Sequence, residues 1–141
     1  MVDLLKLESQ VCFPIYALSR EITNLYRPFL DALDITYPQY LVLLILWEHK
    51  EQTVNQIGRK LQLDNGTLTP LLKRLEVKGI LTRTRSKADE RVVIVSLTIL
   101  GEAIKEKAKC IPEQLVQALN MSFEELAQLK SLVNKILNRT K

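Results

Sequence analysis

Glycine and proline are scarce in this 141-residue chain, at four and five residues, while 47% of the residues are apolar and 26% charged. That balance excludes a disordered chain and suits a helix-rich protein long enough to bury a core. Cysteine and histidine are scarcer still: Cys12, Cys110 and His49 are the whole supply, too few for a zinc site or a disulfide framework. No metal or cofactor is implied, and in a reducing compartment both cysteines are expected to rest as thiols. His49, set among Glu48, Lys50 and Glu51, reads as a solvated side chain rather than a ligand. No run approaches the roughly 18 uncharged apolar residues of a membrane span. The N-terminus also lacks a basic stretch followed by an apolar one, so a cytoplasmic protein without membrane contact is expected.

What is present is organised around residues 53–97. Thr53-Val-Asn-Gln56 has the spacing of a capping box, which opens a helix by satisfying two backbone N–H groups of the first turn. Val54, Ile57 and Leu61 follow at helical spacing. Asp64-Asn-Gly-Thr67 then offers an N-cap for a second helix, with Leu68, Leu71, Leu72 and Leu75 on its inner stripe and Gly79 beyond its end. The outer face of that helix carries Thr67, Thr69, Pro70, Lys73 and Arg74. Such a pair is either an ordinary helical hairpin or a helix-turn-helix whose second helix enters a major groove. The next residues favour the second reading. Residues 80–85 and 92–97 are rich in β-branched side chains, and the polar 86–90 between them reads as a hairpin loop. Strand, charged loop and strand after a helix-turn-helix make a wing.

Charge indicates the partner. Residues 73–91 hold seven cations (Lys73, Arg74, Lys78, Arg83, Arg85, Lys87, Arg91) against three anions (Glu76, Asp89, Glu90), and the rest of the chain is balanced, so this stretch carries the entire net charge of +4. A local surplus of this kind neutralises phosphates. Double-stranded DNA is the expected ligand, contacted through Asp64, Asn65, Thr67, Thr69, Pro70, Lys73, Arg74, Arg83, Arg85, Lys87, Asp89 and Arg91.

Helices flank this core. Val11, Ile15, Leu18, Ile22, Leu25 and Phe29 form the stripe of a first helix. Its regular part is expected to begin near Pro14 or to kink there, with a bend or break at Pro28 before Asp31. Thr36-Tyr-Pro-Gln39 is a second capping-box spacing, and the apolar run Tyr40–Trp47 predicts a helix covered on most sides. After the wing, Thr98 can cap a helix running towards Leu119 and bent at Pro112, and Ser122-Phe-Glu-Glu125 opens a last helix. The flanking helices present more apolar stripe than the central unit needs, which predicts a homodimer interface built from the first helix and the last two.

The run from Asp64 to Glu76, together with Asp89-Glu-Arg91 and Ser96-Leu-Thr98, resembles the winged-helix core of the MarR family of bacterial repressors. Gln10-Val-Cys-Phe13 and Ile35-Thr-Tyr-Pro-Gln-Tyr40 are similar to its OhrR-type branch, the thiol-based sensors of organic hydroperoxides. The resemblance covers nearly the whole chain. It implies a mainly α fold with a small β hairpin, in a single domain over residues 1–141. Residues 36–98 would form the DNA-binding lobe, and residues 1–35 and 99–141 the dimerisation helices. It also implies that the aspartate of the Asp-x-Arg at 89–91 orients the arginine for the minor groove or backbone.

A lone cysteine is commonly just a small apolar packing residue. Cys12, however, falls at the expected start of the first helix, where unpaired N–H groups and the macrodipole favour a thiolate. Tyr16 is one turn further on the same face. Tyr26 is roughly 21 Å away along a helix rising about 1.5 Å per residue, so it can approach only the Cys12 of an antiparallel dimer mate, where Tyr37 could join it. The OhrR-type pattern implies the same assignment, with Cys12 reactive, Tyr26 and Tyr37 its partners and Tyr16 nearby. Where that branch carries a second, resolving cysteine, it would align near Gln117 or Ala118 rather than at Cys110. A mainly one-cysteine sensor is therefore expected, oxidised by an organic hydroperoxide and then joined by a small thiol in a mixed disulfide. Three other readings stand beside it. They are a repressor released by a small aromatic ligand, a thiol peroxidase, which would need βαβ patterning where only one hairpin is visible, and a protein-binding winged helix.

Overall fold

A computed structural model describes residues 1–140. After a short turn at Leu7–Ser9 come α1 (Cys12–Asp31), α2 (Tyr37–His49), β1 (Glu51–Thr53), α3 (Val54–Leu61), α4 (Asn65–Val77), β2 (Leu81–Arg85) and β3 (Val93–Leu97), then α5 (Ile99–Ala108), α6 (Ile111–Leu119) and α7 (Phe123–Arg139). The chain divides into two compact units, residues 1–109 and a second that begins at Cys110.

Side-chain caps set the helix starts. The Thr36, Thr53 and Ser122 hydroxyls each accept a backbone N–H three residues on, while Gln39, Gln56 and Glu125 reach back to the cap N–H, so all three capping boxes form. Asp64 caps α4 by accepting from Thr67 N at 3.0 Å, and Thr98 caps α5 by accepting from Gly101 N at 3.1 Å. Helix ends use left-handed residues. Gly79 (φ 76°) closes α4, with Ile80 N returning to Leu75 O, and Asp34 (φ 55°) closes α1, with Ile35 N returning to Leu30 O. Both are the six-to-one closure that satisfies a terminal carbonyl, and in α1 it packs buried Ile35 beside buried Leu30.

Two expectations about prolines need correction. Helix α1 does not break at Pro28 but continues through it to Asp31. Pro28 and Asn24, whose carbonyl loses its helical donor, are both exposed, where water can take the place of the missing bond. Conversely, the helix after the wing is not one bent rod towards Leu119. It stops at Ala108, four residues before Pro112, and restarts at Ile111. The proline ring clashes with the carbonyl four positions back, yet suits the first turn of a new helix.

The sheet is also larger than a hairpin. Its three antiparallel strands run in the order β1-β3-β2, with Gln52 and Arg83 flanking Val95 from opposite sides. A three-residue strand containing Glu51 and Gln52 carries no periodic signal, and pairing with β3 alone makes it a strand. The core beneath is aliphatic: Val42, Leu43 and Leu46 of α2, Ile57 of α3, Leu68, Leu72 and Leu75 of α4 and Val95 of β3 have no exposed surface. Helix α2 is the central rod, packed against α1, α3, α4, α5 and the sheet.

Candidate functional site

Two groups of expected functional residues fall in different places. The first group surrounds α4 and the hairpin between β2 and β3. Burying Leu68, Leu71, Leu72 and Leu75 turns the opposite face of α4 outward, so Asp64, Asn65, Thr67, Thr69, Pro70, Lys73 and Arg74 are all exposed. Asn65 Nδ2 donates to Asn55 Oδ1 of α3 at 3.4 Å, joining the two helices at their outer ends. Between α4 and the hairpin lies a groove of about 300 Å³, lined by Asn55, Asn65, Thr69, Arg83, Arg85 and Arg91 among others. Cations and hydrogen-bonding side chains on one concave face are what a phosphate backbone and base edges require.

The arginines of this face are held in place. Asp89 accepts from Arg91 three times, from the backbone N–H at 3.1 Å, from Nε at 3.2 Å and from Nη2 at 3.4 Å. These bonds, the side-chain ones first, hold the Asp89 carboxyl below its ordinary range. Arg91 nonetheless remains almost fully exposed, with 91% of its side chain accessible, so it is oriented without being buried. Arg85 Nη1 donates to the Glu90 carbonyl at 2.8 Å. Arg83, which also lines the groove, is engaged differently. Its position on β2 puts it on the face of Leu81, towards α4, and its Nη2 bonds Glu76 Oε1 at 3.1 Å. Lys87 is exposed at the hairpin tip.

The second group is tyrosines. Tyr26 of α1 and Tyr37 of α2 stack with ring centroids 4.7 Å apart. A third ring, Tyr40, which closes the OhrR-like stretch at residues 35–40 without an assigned part in sensing, lies 5.6 Å from Tyr26 and 6.3 Å from Tyr37. Burial pushes the Tyr26 phenol up to about 12, helped by the neighbouring phenols of Tyr37 and Tyr40. Tyr37 and Tyr40 are pushed up for the same first reason. All three are therefore protonated hydrogen-bond donors at neutral pH. Tyr40 also meets Trp47 edge-on at 6.3 Å, and Trp47 Nε1 donates to the Gly101 carbonyl of α5 at 3.0 Å.

Cys12 and Tyr16 are not part of this cluster. Cys12 is the first residue of α1 and is exposed. Val11 before it supplies no side-chain cap, so the first-turn N–H groups lack that partner. Tyr16, one turn on, lies under the Arg20 guanidinium at 5.5 Å. Among the described residues no group of His, Cys, Asp or Glu is placed to hold a metal ion, and no helix is long and apolar enough to cross a membrane.

A capped helix-turn-helix followed by an arginine-bearing wing defines the winged-helix class of transcription regulators. The family model for the transcriptional regulators SarA/Rot matches residues 24–111. The organic hydroperoxide resistance transcriptional regulator of Bacillus subtilis is 54% identical over 135 residues, 96% of this chain and 92% of that protein. The structure of reduced AbfR, a Staphylococcus epidermidis protein, bound to DNA superposes with a TM-score of 0.80 at 38% identity, covering 95% of this chain and 94% of that one. A cysteine-to-serine mutant of Escherichia coli MarR in complex with operator DNA gives 0.83 at 30% identity, over 96% and 99%. The chain belongs to the MarR and SarA/Rot family of transcriptional regulators, and its branch is that of the organic-hydroperoxide regulators. It is a regulator and not a thiol peroxidase.

Proposed function

We propose that the chain is a homodimeric repressor that binds operator DNA through α4 and the wing and releases it when an organic hydroperoxide oxidises Cys12. The observation that carries the sensing half is the Tyr26–Tyr37 pair, two half-buried phenols packed against each other with ring centroids 4.7 Å apart, in a chain whose Bacillus subtilis relative is an organic hydroperoxide resistance regulator. Within one chain Cys12 precedes Tyr26 by nearly four turns of α1, roughly 21 Å. The phenols therefore serve the Cys12 of a second chain lying antiparallel along α1. The exposed Val11, Phe13, Ile15 and Leu18 on the early turns of α1, with Leu4, Leu5 and Leu7 before it, are the apolar surface such a partner covers.

In the reaction, the Cys12 thiolate attacks the terminal peroxide oxygen and the O–O bond breaks. Cysteine becomes a sulfenic acid, and the alkoxide takes a proton and leaves as an alcohol. A small thiol can then displace water from the sulfenic acid to give a mixed disulfide. Either product is bulkier and hydrogen-bonds differently from the thiolate, so the seam holding the tyrosines must rearrange. Helix α2 carries Tyr37 and Tyr40 at one end and packs on α3 and α4, so its movement changes the separation of two recognition helices that must sit about 34 Å apart.

The test is release of a fluorescent duplex, selected by the wild-type protein from a random-sequence pool, after addition of cumene hydroperoxide. The wild type should release the duplex and rebind it after dithiothreitol. Cys12→Ser should bind normally and stay bound, and Cys110→Ser should release. Release of Cys12→Ser at the wild-type rate would sink the sensing role and leave the small-ligand reading.

A further inference from the structure

Glu76 is a carboxylate beside the DNA-reading face that binding to a polyanion should disfavour. It lies in the last turn of α4, and both of its oxygens are committed to one residue of β2. Its Oε2 accepts the Arg83 backbone N–H at 3.0 Å, and its Oε1 accepts Arg83 Nη2 at 3.1 Å. The Arg83 guanidinium, ahead of the backbone bond, holds the Glu76 carboxyl below its ordinary range, so it stays ionised and paired at neutral pH.

The backbone bond shows what the pair does. Strand β2 is an edge strand, paired only with β3, and the N–H of an edge residue that points away from the sheet has no strand to bond. Glu76 fills that place from α4. Arg83 is largely covered, with 24% of its side chain accessible, and its charge is paired with Glu76. Two residues further along the same strand face is Arg85, and across the hairpin is Arg91; both line the groove that α4 borders.

We infer that Glu76 is a positioning residue for DNA recognition, a clamp that fixes the wing to the recognition helix so that Arg85 and Arg91 reach the duplex while α4 occupies its groove. The clamp rests on the DNA-binding part of the reading above and is independent of peroxide sensing. A ligand with helix and backbone sites at a fixed separation is bound most tightly by a protein that holds its two contacting elements at that separation beforehand. The gain from that order exceeds the attraction lost by keeping one negative charge near the phosphates.

The two effects have opposite signs, which makes the inference testable. Removing Glu76 adds one unit of positive charge. If charge alone governs binding, Glu76→Gln and Glu76→Ala bind every duplex more tightly. If Glu76 positions the wing, their affinity for the selected duplex falls by about tenfold, a size expected when one specific contact is loosened. Affinity for an unrelated duplex of equal length then stays the same or rises, because that term is electrostatic. A role confined to stability is separated by repeating the substitutions in an Arg91→Ala background. There a positioning residue has less to position, and the loss should shrink to about twofold or less, whereas independent effects would add. Thermal midpoints of all variants are read alongside, and Glu76→Gln, which keeps the size and one acceptor, covers the case in which Glu76→Ala does not fold. Equal or tighter binding of the selected duplex by the Glu76 variants, or an undiminished loss in the Arg91→Ala background, overturns the clamp. Failure of the wild type to select any duplex would overturn the DNA-binding reading and the clamp together.

Discussion

Helices α1 and α4 are built from similar material and finish in opposite conditions. Both carry apolar stripes at helical spacing, yet α4 buries Leu68, Leu71, Leu72 and Leu75, whereas α1 buries only Leu30. Helix α4 is capped by Asp64, closed by Gly79 and tied to the strand after it by Glu76, all from within one chain. The start of α1 has no side-chain cap and exposes Val11, Phe13, Ile15, Tyr16 and Leu18. The helix that carries the DNA-reading face is thus packed from within one chain, and the start of α1 is not, as the homodimer proposed above requires. In the proposed homodimer, that division would keep the recognition surface rigid while the signal is read at the seam between chains, where small changes shift the arrangement of the halves.

The comparison breaks most readily at Leu72, which has no exposed surface. Leu72→Ala should lower unfolding stability by about 2–5 kcal/mol, because the cavity lies in a core that cannot collapse around it. Urea denaturation followed by circular dichroism measures this. The same truncation at Phe13, 47% exposed, should leave the helical signal unchanged and shift sedimentation towards monomer. A Phe13→Ala protein that sediments like the wild type would remove that residue from the seam.

Gly101 gives the next largest effect. A methyl group there would overlap the Ile80 carbonyl oxygen and approach Leu97 Cδ2 to 2.7 Å, and the Thr98 hydroxyl that caps Gly101 N also donates to Ile80 O at 3.0 Å. Helix α5, the turn after α4 and the end of β3 are fixed at this point, with Trp47 donating to the Gly101 carbonyl. Gly101→Ala should cost about 1–3 kcal/mol by overpacking, and altered Trp47 fluorescence in the folded protein would report that the joint has moved.

These two residues also mark what the sequence made legible. Leu72 belongs to a stripe at helical spacing, and the capping boxes at Thr36, Thr53 and Ser122 are local patterns, so helix positions and most of the core could be read from neighbours in the chain. Gly101 could not. Its constraint comes from Ile80 and Leu97, and nothing in Ile99-Leu-Gly101 reveals it. The same holds for β1, made a strand by β3, and for Glu76 with Arg83, a pair seven residues apart that meets only because a helix ends and a strand begins between them. Among the candidate site residues, the exposed side of α4 was legible from its stripe. The engagement of Arg83 and the inclusion of Tyr40 beside Tyr26 and Tyr37 were not, since each depends on which elements meet in space.

Arg91→Ala sharpens the DNA-binding half of the comparison. With its side chain exposed and its guanidinium held by Asp89, the residue contributes little to folding. Affinity for the selected duplex should fall by about 1–3 kcal/mol with the thermal midpoint unchanged. A lowered midpoint with unaltered affinity would make the pair a turn stabiliser instead.

The smallest expected effect tests the tyrosines by pH. Tyr26 has an ordinary value of 10.0 and in the folded chain is pushed up to about 12, first by burial and then by the Tyr37 and Tyr40 phenols. A raised folded value means that the unfolded chain gives up the proton first. The contribution is whole below pH 10 and is lost as pH rises through the interval to about 12, because the unfolded state gains from ionisation before the folded state can. Unfolding free energy measured by urea at pH 8, 10 and 11 should therefore fall with increasing slope, and Tyr26→Phe should flatten that fall because the proton is no longer there to lose. The substitution keeps the ring, so the stack with Tyr37 survives and stability at pH 8 should change little. At that pH its consequence should be chemical: with one fewer phenol to donate to the Cys12 sulfur, Tyr26→Phe should bind the selected duplex as well as the wild type and release it more slowly after cumene hydroperoxide. A flattened alkaline response with an unchanged release rate would confine Tyr26 to packing and leave Tyr37 as the donor.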